Sequence, residues 1–173
     1  MDINILTENL IRISFAVVIG GIIGAEREFR DKAAGFRTII LITVGSALFT
    51  IFSTSLDPGF TRTRIAANIV TGIGFLGAGA IVREHGRIGG LTTAATIWLS
   101  AALGMGIGAG ELIFVSISTA IVIIVLLVFP QLEIWIDSIR EARTYKIVVS
   151  TVNVDKIDQI NESLAAQELR VYE

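Results

Sequence analysis

The stretch from Arg64 to Arg83, "RIAANIVTGIGFLGAGAIVR", is apolar enough to enter a lipid bilayer, yet it contains four glycines and one amide, Asn68. Small residues let two membrane helices approach closely, so glycines in such a segment indicate packing rather than a weak helix. At about 100° per residue, the glycines fall on two opposite faces. These are Gly72 and Gly79 on one face, and Gly74 and Gly77 on the other. The spacing predicts a central helix between two neighbours, with Asn68 on the Gly72 face.

The composition supports a membrane protein. The 173 residues are 53% hydrophobic and have a mean hydropathy of +0.73, whereas soluble domains are roughly 45–50% apolar. The 14 basic residues are scattered among 16 acidic ones, so we expect no nucleic-acid partner. The absence of cysteine excludes disulfides and thiolate metal sites. The start, "MDINILTENLIR", lacks the basic region of a cleavable signal, so the first apolar segment should be retained.

Five apolar segments of close to the roughly 20 residues that span a hydrocarbon core are legible. We therefore predict an all-α membrane domain over residues 1–130, with spans at 10–25, 38–55, 65–82, 91–108 and 112–129. Lys and Arg concentrate in the loops after the first, third and fifth spans. The positive-inside rule then puts the N-terminus outside and the C-terminus in the cytoplasm.

The pattern changes after Pro130. Residues 131–143 have apolar positions at helical spacing, which predicts an amphipathic helix lying at the membrane interface. Residues 144–173 read as strand, helix and strand, a small soluble βαβ unit.

Polar side chains within the spans are candidates for function. Asn68 either joins two helices as a buried amide or lines a solute path or partner site. The fourth span carries a hydroxyl stripe that can bond its own carbonyls, bond a neighbouring helix or line a cavity. The stripe consists of Thr92, Thr93, Thr96 and Ser100. Two further pairs have the GxxxG spacing of close helix packing. They are Gly20 with Gly24, and Gly104 with Gly108.

The loop "AEREFRDKAAGFRT", which ends at Thr38, is the densest charge cluster of the membrane half. If the first helix continues through it, Glu26 pairs with Arg30 and Arg27 with Asp31 at i,i+4, as at a solvated helix end. Alternatively, Glu26 and Arg37 are partners held against the helix bundle, because unpaired charge at the edge of a span is costly.

A catalytic constellation is not apparent. The single histidine, His85, lies in a loop between Arg83 and Arg87, and "GIGFLGAG" lies within a span, which is the wrong context for a dinucleotide site. We therefore expect a protein that is not an enzyme and that uses no metal or other cofactor.

The motifs "GGIIGAEREFRDKAAGFRT" and "IVTGIGFLGAGAIVREHGRIGGLTTAATIWLSAALGMGIGAG", in this order, resemble the MgtC/SapB family of bacterial inner-membrane proteins. The resemblance covers about Gly20 to Gly110 and implies a five-helix membrane domain followed by a cytoplasmic ACT-like domain, of which residues 144–173 would be one half. Positions of the family motifs carry over to this chain as a set. They are Glu26, Arg27, Arg30, Lys32 and Arg37 in the charged loop, the four glycines 72, 74, 77 and 79, and Gly90, Leu91, Thr92, Thr93 and Ala94.

The resemblance also implies a function. It links the chain to growth at low magnesium, to survival of pathogens inside macrophages, and to regulation by binding and restraining the rotary ATP synthase. A transporter or channel for magnesium, another cation or a small solute is the alternative. The expected partners are membrane lipids, another inner-membrane protein such as the synthase, and a second copy in a homodimer.

Overall fold

The structure, a computed structural model, describes residues 3–56, 62–84 and 87–139. The predicted ACT-like segment, residues 144–173, and the end of the predicted interfacial helix lie outside these ranges. The part up to Ile134 is one compact unit, and Trp135 begins a second. The elements, in chain order, are α1 (Ile3–Phe29), α2 (Phe36–Leu56), α3 (Arg62–Gly79), β1 (Val82–Glu84), β2 (Arg87–Gly89), α4 (Leu91–Ala109) and α5 (Leu112–Ile139).

Four helical stretches in the described part of the chain are long and apolar enough to cross a membrane. They are Ile3–Phe29, Phe36–Ser53, Leu91–Ala109 and Leu112–Ile136. Each overlaps a predicted span. Large apolar side chains remain exposed along these helices, as lipid-facing surfaces require; Ile113, for example, is 80% exposed.

The predicted span at 65–82 is shorter than expected. Its apolar helical part is Ile65–Gly79, which corresponds to roughly 22 Å of helix against a hydrocarbon core of roughly 30 Å. At the end of the helix, the amides of Ala80 and Ile81 bond carbonyls three residues back, which tightens the last turn. The chain then enters an antiparallel hairpin of β1 and β2, which pairs Arg83 with Ile88 and which the sequence reading missed.

Helix α5 continues through Pro130 to Ile139. Residues 131–139 of the predicted interfacial helix are helical, but they continue α5, so the predicted break at Pro130 is wrong. The placement of this part at the membrane interface stays a prediction. Proline removes one intrahelical hydrogen bond, but membrane helices tolerate it, so it is not a reliable end signal in a span.

Helix α2 occupies the centre of the packing, in contact with α1, α3 and α4. A Cβ atom on Gly24 of α1 would lie 2.8 Å from the carbonyl oxygen of Phe36, and one on Gly20 2.9 Å from Cα of Ile40. On the other side, a Cβ on Gly108 of α4 would lie 2.6 Å from the carbonyl oxygen of Ala47. Gly104 is likewise pressed against α2, at Thr43 and Ser46. The two GxxxG pairs thus hold α2 between α1 and α4.

Helix α3 lies at the periphery, so the prediction of a central third helix is wrong for this single chain. Open space surrounds Gly72, Gly74 and Gly79 among the described residues, and only the Gly77 side is packed, with its Cβ position 3.7 Å from the carbonyl oxygen of Ala94. Glycine spacing shows where a helix can be approached closely. It does not show whether the approaching helix belongs to the same chain.

Candidate functional site

A buried ion cluster stands at the end of α1. Glu26 and Arg27 have side chains only 7% and 2% exposed and are paired with each other. Oε1 of Glu26 also lies 2.7 Å from Nε of Arg30, as the i,i+4 spacing predicted. Arg30 reaches further, to the carbonyl oxygen of Leu127 in α5 at 3.5 Å. One carboxylate therefore balances two guanidinium groups against the bundle.

The predicted pair between Arg27 and Asp31 does not form, because the helix ends before Asp31. Asp31 has φ 51°, and the amide of Lys32 bonds the carbonyl of Arg27 at 3.0 Å while that of Asp31 bonds Glu28 at 3.0 Å. This is a Schellman end with aspartate at the position that usually holds glycine. Arg27 turns to Glu26 instead, and its Nη1 has no hydrogen-bond partner among the described residues.

Glu28 joins the end of α1 to the start of α2. Its Oε2 accepts a hydrogen bond from the amide of Phe36 at 2.9 Å, which satisfies one of the free donors at a helix N-terminus. A side chain at Gly35 would clash with this carboxylate. Local capping patterns do not predict this cap, because the acceptor lies eight residues before the amide.

Arg37 and Thr38 are exposed rather than tucked against the bundle. The alternative in which Glu26 and Arg37 are partners is therefore wrong, because Glu26 is paired with two arginines of its own chain segment, Arg27 and Arg30. An open cleft of about 850 Å³ lies at the α1–α2 turn, and its lining includes Arg37, Thr38, Lys32 and Glu28.

Asn68 is exposed on α3, so it is neither a buried amide between helices of this chain nor the lining of a path between them. At helical spacing its face also holds Gly72, Phe75 and Gly79. Phe75 is 83% exposed and was not singled out from the sequence. The opposite side, at Ile73 and Gly77, is buried.

The hydroxyl stripe of α4 is divided. Thr92 is exposed, whereas Thr93, Thr96 and Ser100 are buried. Thr96 and Ser100 each donate to the carbonyl four residues back, at 2.8 Å. For these two hydroxyls, the first of the three sequence alternatives holds, because their protons are already used within the helix.

Arg12 is a polar contact that the sequence reading did not recognise. It lies within the first apolar segment, yet its Nη1 donates to the carbonyl oxygen of Gly108 in α4 at 2.8 Å, and it pairs with Glu8. A basic residue inside an apolar helix was the available signal, since such a charge needs a partner. No group of three or more His, Asp or Glu side chains suited to a metal ion occurs among the described residues.

These features define a helical membrane protein with small-residue helix packing and a buried charge cluster at one end of the bundle. Its sequence matches the MgtC family over residues 13–135. The chain belongs to this family, and the resemblance noted from its motifs is confirmed.

Named relatives agree. The chain is 48% identical over 110 residues to protein MgtC of Brucella abortus (strain 2308), covering 64% of this chain and 46% of the relative. It is 41% identical over 162 residues to the putative magnesium transporter YhiD of Escherichia coli (strain K12), covering 89% of this chain and 74% of the relative. It is 49% identical over 96 residues to protein MgtC of Salmonella typhimurium (strain 14028s / SGSC 2262), covering 56% of this chain and 41% of the relative. The chain thus spans less than half the length of the Brucella and Salmonella relatives. No solved structure matches it.

Proposed function

We propose that this chain is a non-enzymatic regulatory protein of the bacterial inner membrane that acts by binding another membrane protein through α3. The observation that carries the proposal is the open face of α3 formed by Asn68, Gly72, Phe75 and Gly79, called the α3 face below. Phe75 is 83% exposed, and space around Gly72 and Gly79 is open among the described residues.

The chemistry of the α3 face suits a helical partner better than lipid. An amide facing lipid lacks hydrogen-bond partners, whereas a neighbouring helix can supply them. The two glycines allow the backbones to approach closely, and an aromatic side chain is the residue type that most often anchors an interface. The other side of α3 is already packed on α4 through Gly77, so one face remains for a partner.

Family membership supports a proposal for the physiological setting. We propose a role in adaptation to low magnesium and in intracellular survival, with the rotary ATP synthase as the partner that is restrained. A second copy of this chain is the competing occupant of the α3 face. The proposed topology has five crossings, with the N-terminus outside, the C-terminus in the cytoplasm, and α3 as the short third crossing.

Capture from native membranes tests this function. The tagged full chain would be crosslinked in bacterial membranes, purified and probed for synthase subunits and for untagged copies of itself. We expect the synthase to be recovered with the wild type and to be lost with Asn68→Leu and with Phe75→Ala. Phe114→Ala is the matched control, because Phe114 is also exposed (69%) but lies on α5.

Equal recovery with all variants, or no synthase with the wild type, would contradict the proposal. Recovery of untagged copies alone would assign the α3 face to a homodimer.

Transport of magnesium or another cation is the second candidate, favoured by the relative named as a putative magnesium transporter. Divalent cations prefer sites that include carboxylates. The buried carboxylate of Glu26 is held by two guanidinium groups, so it does not offer such a site. Cation uptake into proteoliposomes above that of protein-free vesicles would establish transport and displace the regulatory role.

A further inference from the structure

The cleft at the α1–α2 turn, called the elbow cleft below, has no role in the packing described so far. It measures about 850 Å³ and is open. Its lining combines charged, hydroxyl and aromatic side chains from the end of α1, the turn and the start of α2. The lining residues that bear on its chemistry are Glu28, Phe29, Lys32, Phe36, Arg37 and Thr38.

The charge of the elbow cleft is positive. Lys32 and Arg37 are exposed, and the side chain of neither has an ion-pair or hydrogen-bond partner among the described residues. Glu28 is the acid in the lining, and its Oε2 is engaged by the amide of Phe36 at 2.9 Å. Asp31, the other acid of the turn, does not line the cleft. Two cations therefore face the cleft against one carboxylate that is already hydrogen-bonded.

The rim of the elbow cleft is aromatic. Phe29 is 91% exposed and Phe36 43%, and they stand at the facing ends of two stretches apolar enough to cross a membrane, Ile3–Phe29 and Phe36–Ser53. The ends of such helices lie where hydrocarbon meets headgroups. The cleft thus combines cations for a headgroup with aromatic surface for the first part of an acyl chain.

We infer that the elbow cleft binds a phosphate group, through Lys32 and Arg37. The aromatic rim favours the phosphodiester of an anionic phospholipid as the source of that phosphate, with free phosphate as the other source. Arg37 presents a guanidinium fork that suits two phosphate oxygens, and Lys32 adds a second positive charge. The Thr38 hydroxyl is a further donor at the cleft.

Native mass spectrometry of the full chain in a mild detergent tests the inference with two probes. One series adds phosphatidylglycerol, with zwitterionic phosphatidylcholine as the lipid control, and the other adds inorganic phosphate at matched ionic strength. We expect preferential retention of phosphatidylglycerol and a loss of about fivefold in affinity for each of Lys32→Gln and Arg37→Gln, the size expected for one cation at an anionic headgroup. Lys32→Arg, which keeps the charge, should retain binding.

Arg83→Gln is the matched control, because it removes one exposed charge from β1 and Arg83 does not line the cleft. Phe29→Ala should weaken the binding of phosphatidylglycerol but not that of inorganic phosphate. That outcome supports a phospholipid as the source of the phosphate group. Tight binding of inorganic phosphate that falls with Arg37→Gln but not with Phe29→Ala supports the same site with free phosphate as its ligand. The inference is overturned if Arg83→Gln weakens binding as much as Arg37→Gln, or if neither cleft variant changes it.

Discussion

Arg12 shows how a charge is held inside an apolar helix. Its side chain is 19% exposed, and it donates to the carbonyl of Gly108 near the end of α4. The last carbonyls of a helix lack partners within the helix and carry partial negative charge. Gly110, with φ 91°, closes α4 by bonding back to Ile107, and Arg12 covers the same end from α1. A single side chain thus ties two helices together.

We expect Arg12→Gln to lower the free energy of unfolding by about 1–3 kcal/mol, the range for leaving a partly buried acceptor without its charged donor. Thermal unfolding of the purified chain in detergent measures the change. Glu8→Gln is the control, because Glu8 is 60% exposed and its pair with Arg12 contributes under about 1 kcal/mol. Similar losses for both variants would show that the bond to Gly108 is unimportant.

Glu26 holds the buried cluster together, so Glu26→Gln should lower the free energy of unfolding by about 3–5 kcal/mol, because Arg27 and Arg30 then lose their shared counter-charge. Helical circular dichroism during a temperature ramp reports the loss. Glu133→Gln, at an exposed position of α5, should leave the midpoint unchanged. An unaltered midpoint for Glu26→Gln would mean that the two guanidinium groups find other partners.

The sequence predicted the Glu26–Arg30 pair because it depends only on the helix continuing for one more turn. It did not predict the burial of Arg27 or the exposure of Arg37. Both depend on which side of each helix meets the bundle, and that is decided by contacts between helices far apart in the sequence.

Among the elements, α2 has the central place without a GxxxG pair of its own. Its face towards α4 is built from small and hydroxyl residues at helical spacing, which let that helix come near. The members that meet glycines of the neighbouring helices include Thr43, Ser46, Ala47 and Thr50. This spacing is visible in the sequence and could have identified α2. The glycines of α3 led to the prediction that α3 is the central helix. Glycine spacing is equally compatible with a helix face that is open within the chain, so it does not identify the central helix.

Glycine substitutions distinguish the two kinds of face. Gly108→Ala should lower the free energy of unfolding by about 1–3 kcal/mol, because its Cβ would lie 2.6 Å from a backbone oxygen of α2. Gly72→Ala should be neutral or slightly stabilising in the isolated chain, because the position is open within the described residues and alanine favours helix.

The same substitutions separate folding from partner binding. Gly72→Ala should weaken capture of the partner in native membranes while the isolated chain unfolds at its usual temperature. A destabilised Gly72→Ala chain would instead show that the α3 face is already packed in detergent.

For the whole molecule, the number of crossings depends on α3. Hydropathy predicted the positions of the four long apolar helices, because crossing a bilayer needs little beyond length and composition. Hydropathy could not decide whether the third segment crosses the membrane, because α3 ends at Gly79 and the last residues of the predicted span belong to the hairpin. If α3 crosses, the elbow cleft and the hairpin lie on the same side of the membrane.

Cysteine labelling can decide this, because the natural chain has no cysteine. Single substitutions Ala33→Cys, Ile88→Cys and Glu111→Cys would be exposed to a membrane-impermeant maleimide in spheroplasts. We expect Glu111→Cys to react at once, and the other two only after lysis, as five crossings with the N-terminus outside require. Reaction of Ile88→Cys together with protection of Ala33→Cys would mean that α3 does not cross.

The buried hydroxyls bear on how the protein is made. Thr43, Thr96, Ser100 and Thr119 each donate to a carbonyl of their own helix, at 2.8 to 2.9 Å. Each of these groups is therefore satisfied before its helix meets a neighbour. Helices α2, α4 and α5 can therefore enter the membrane one at a time without leaving these hydroxyl protons unbonded in lipid. Assembly of the bundle is then a later, separate step, in which the glycine faces of α1 and α4 pack against α2.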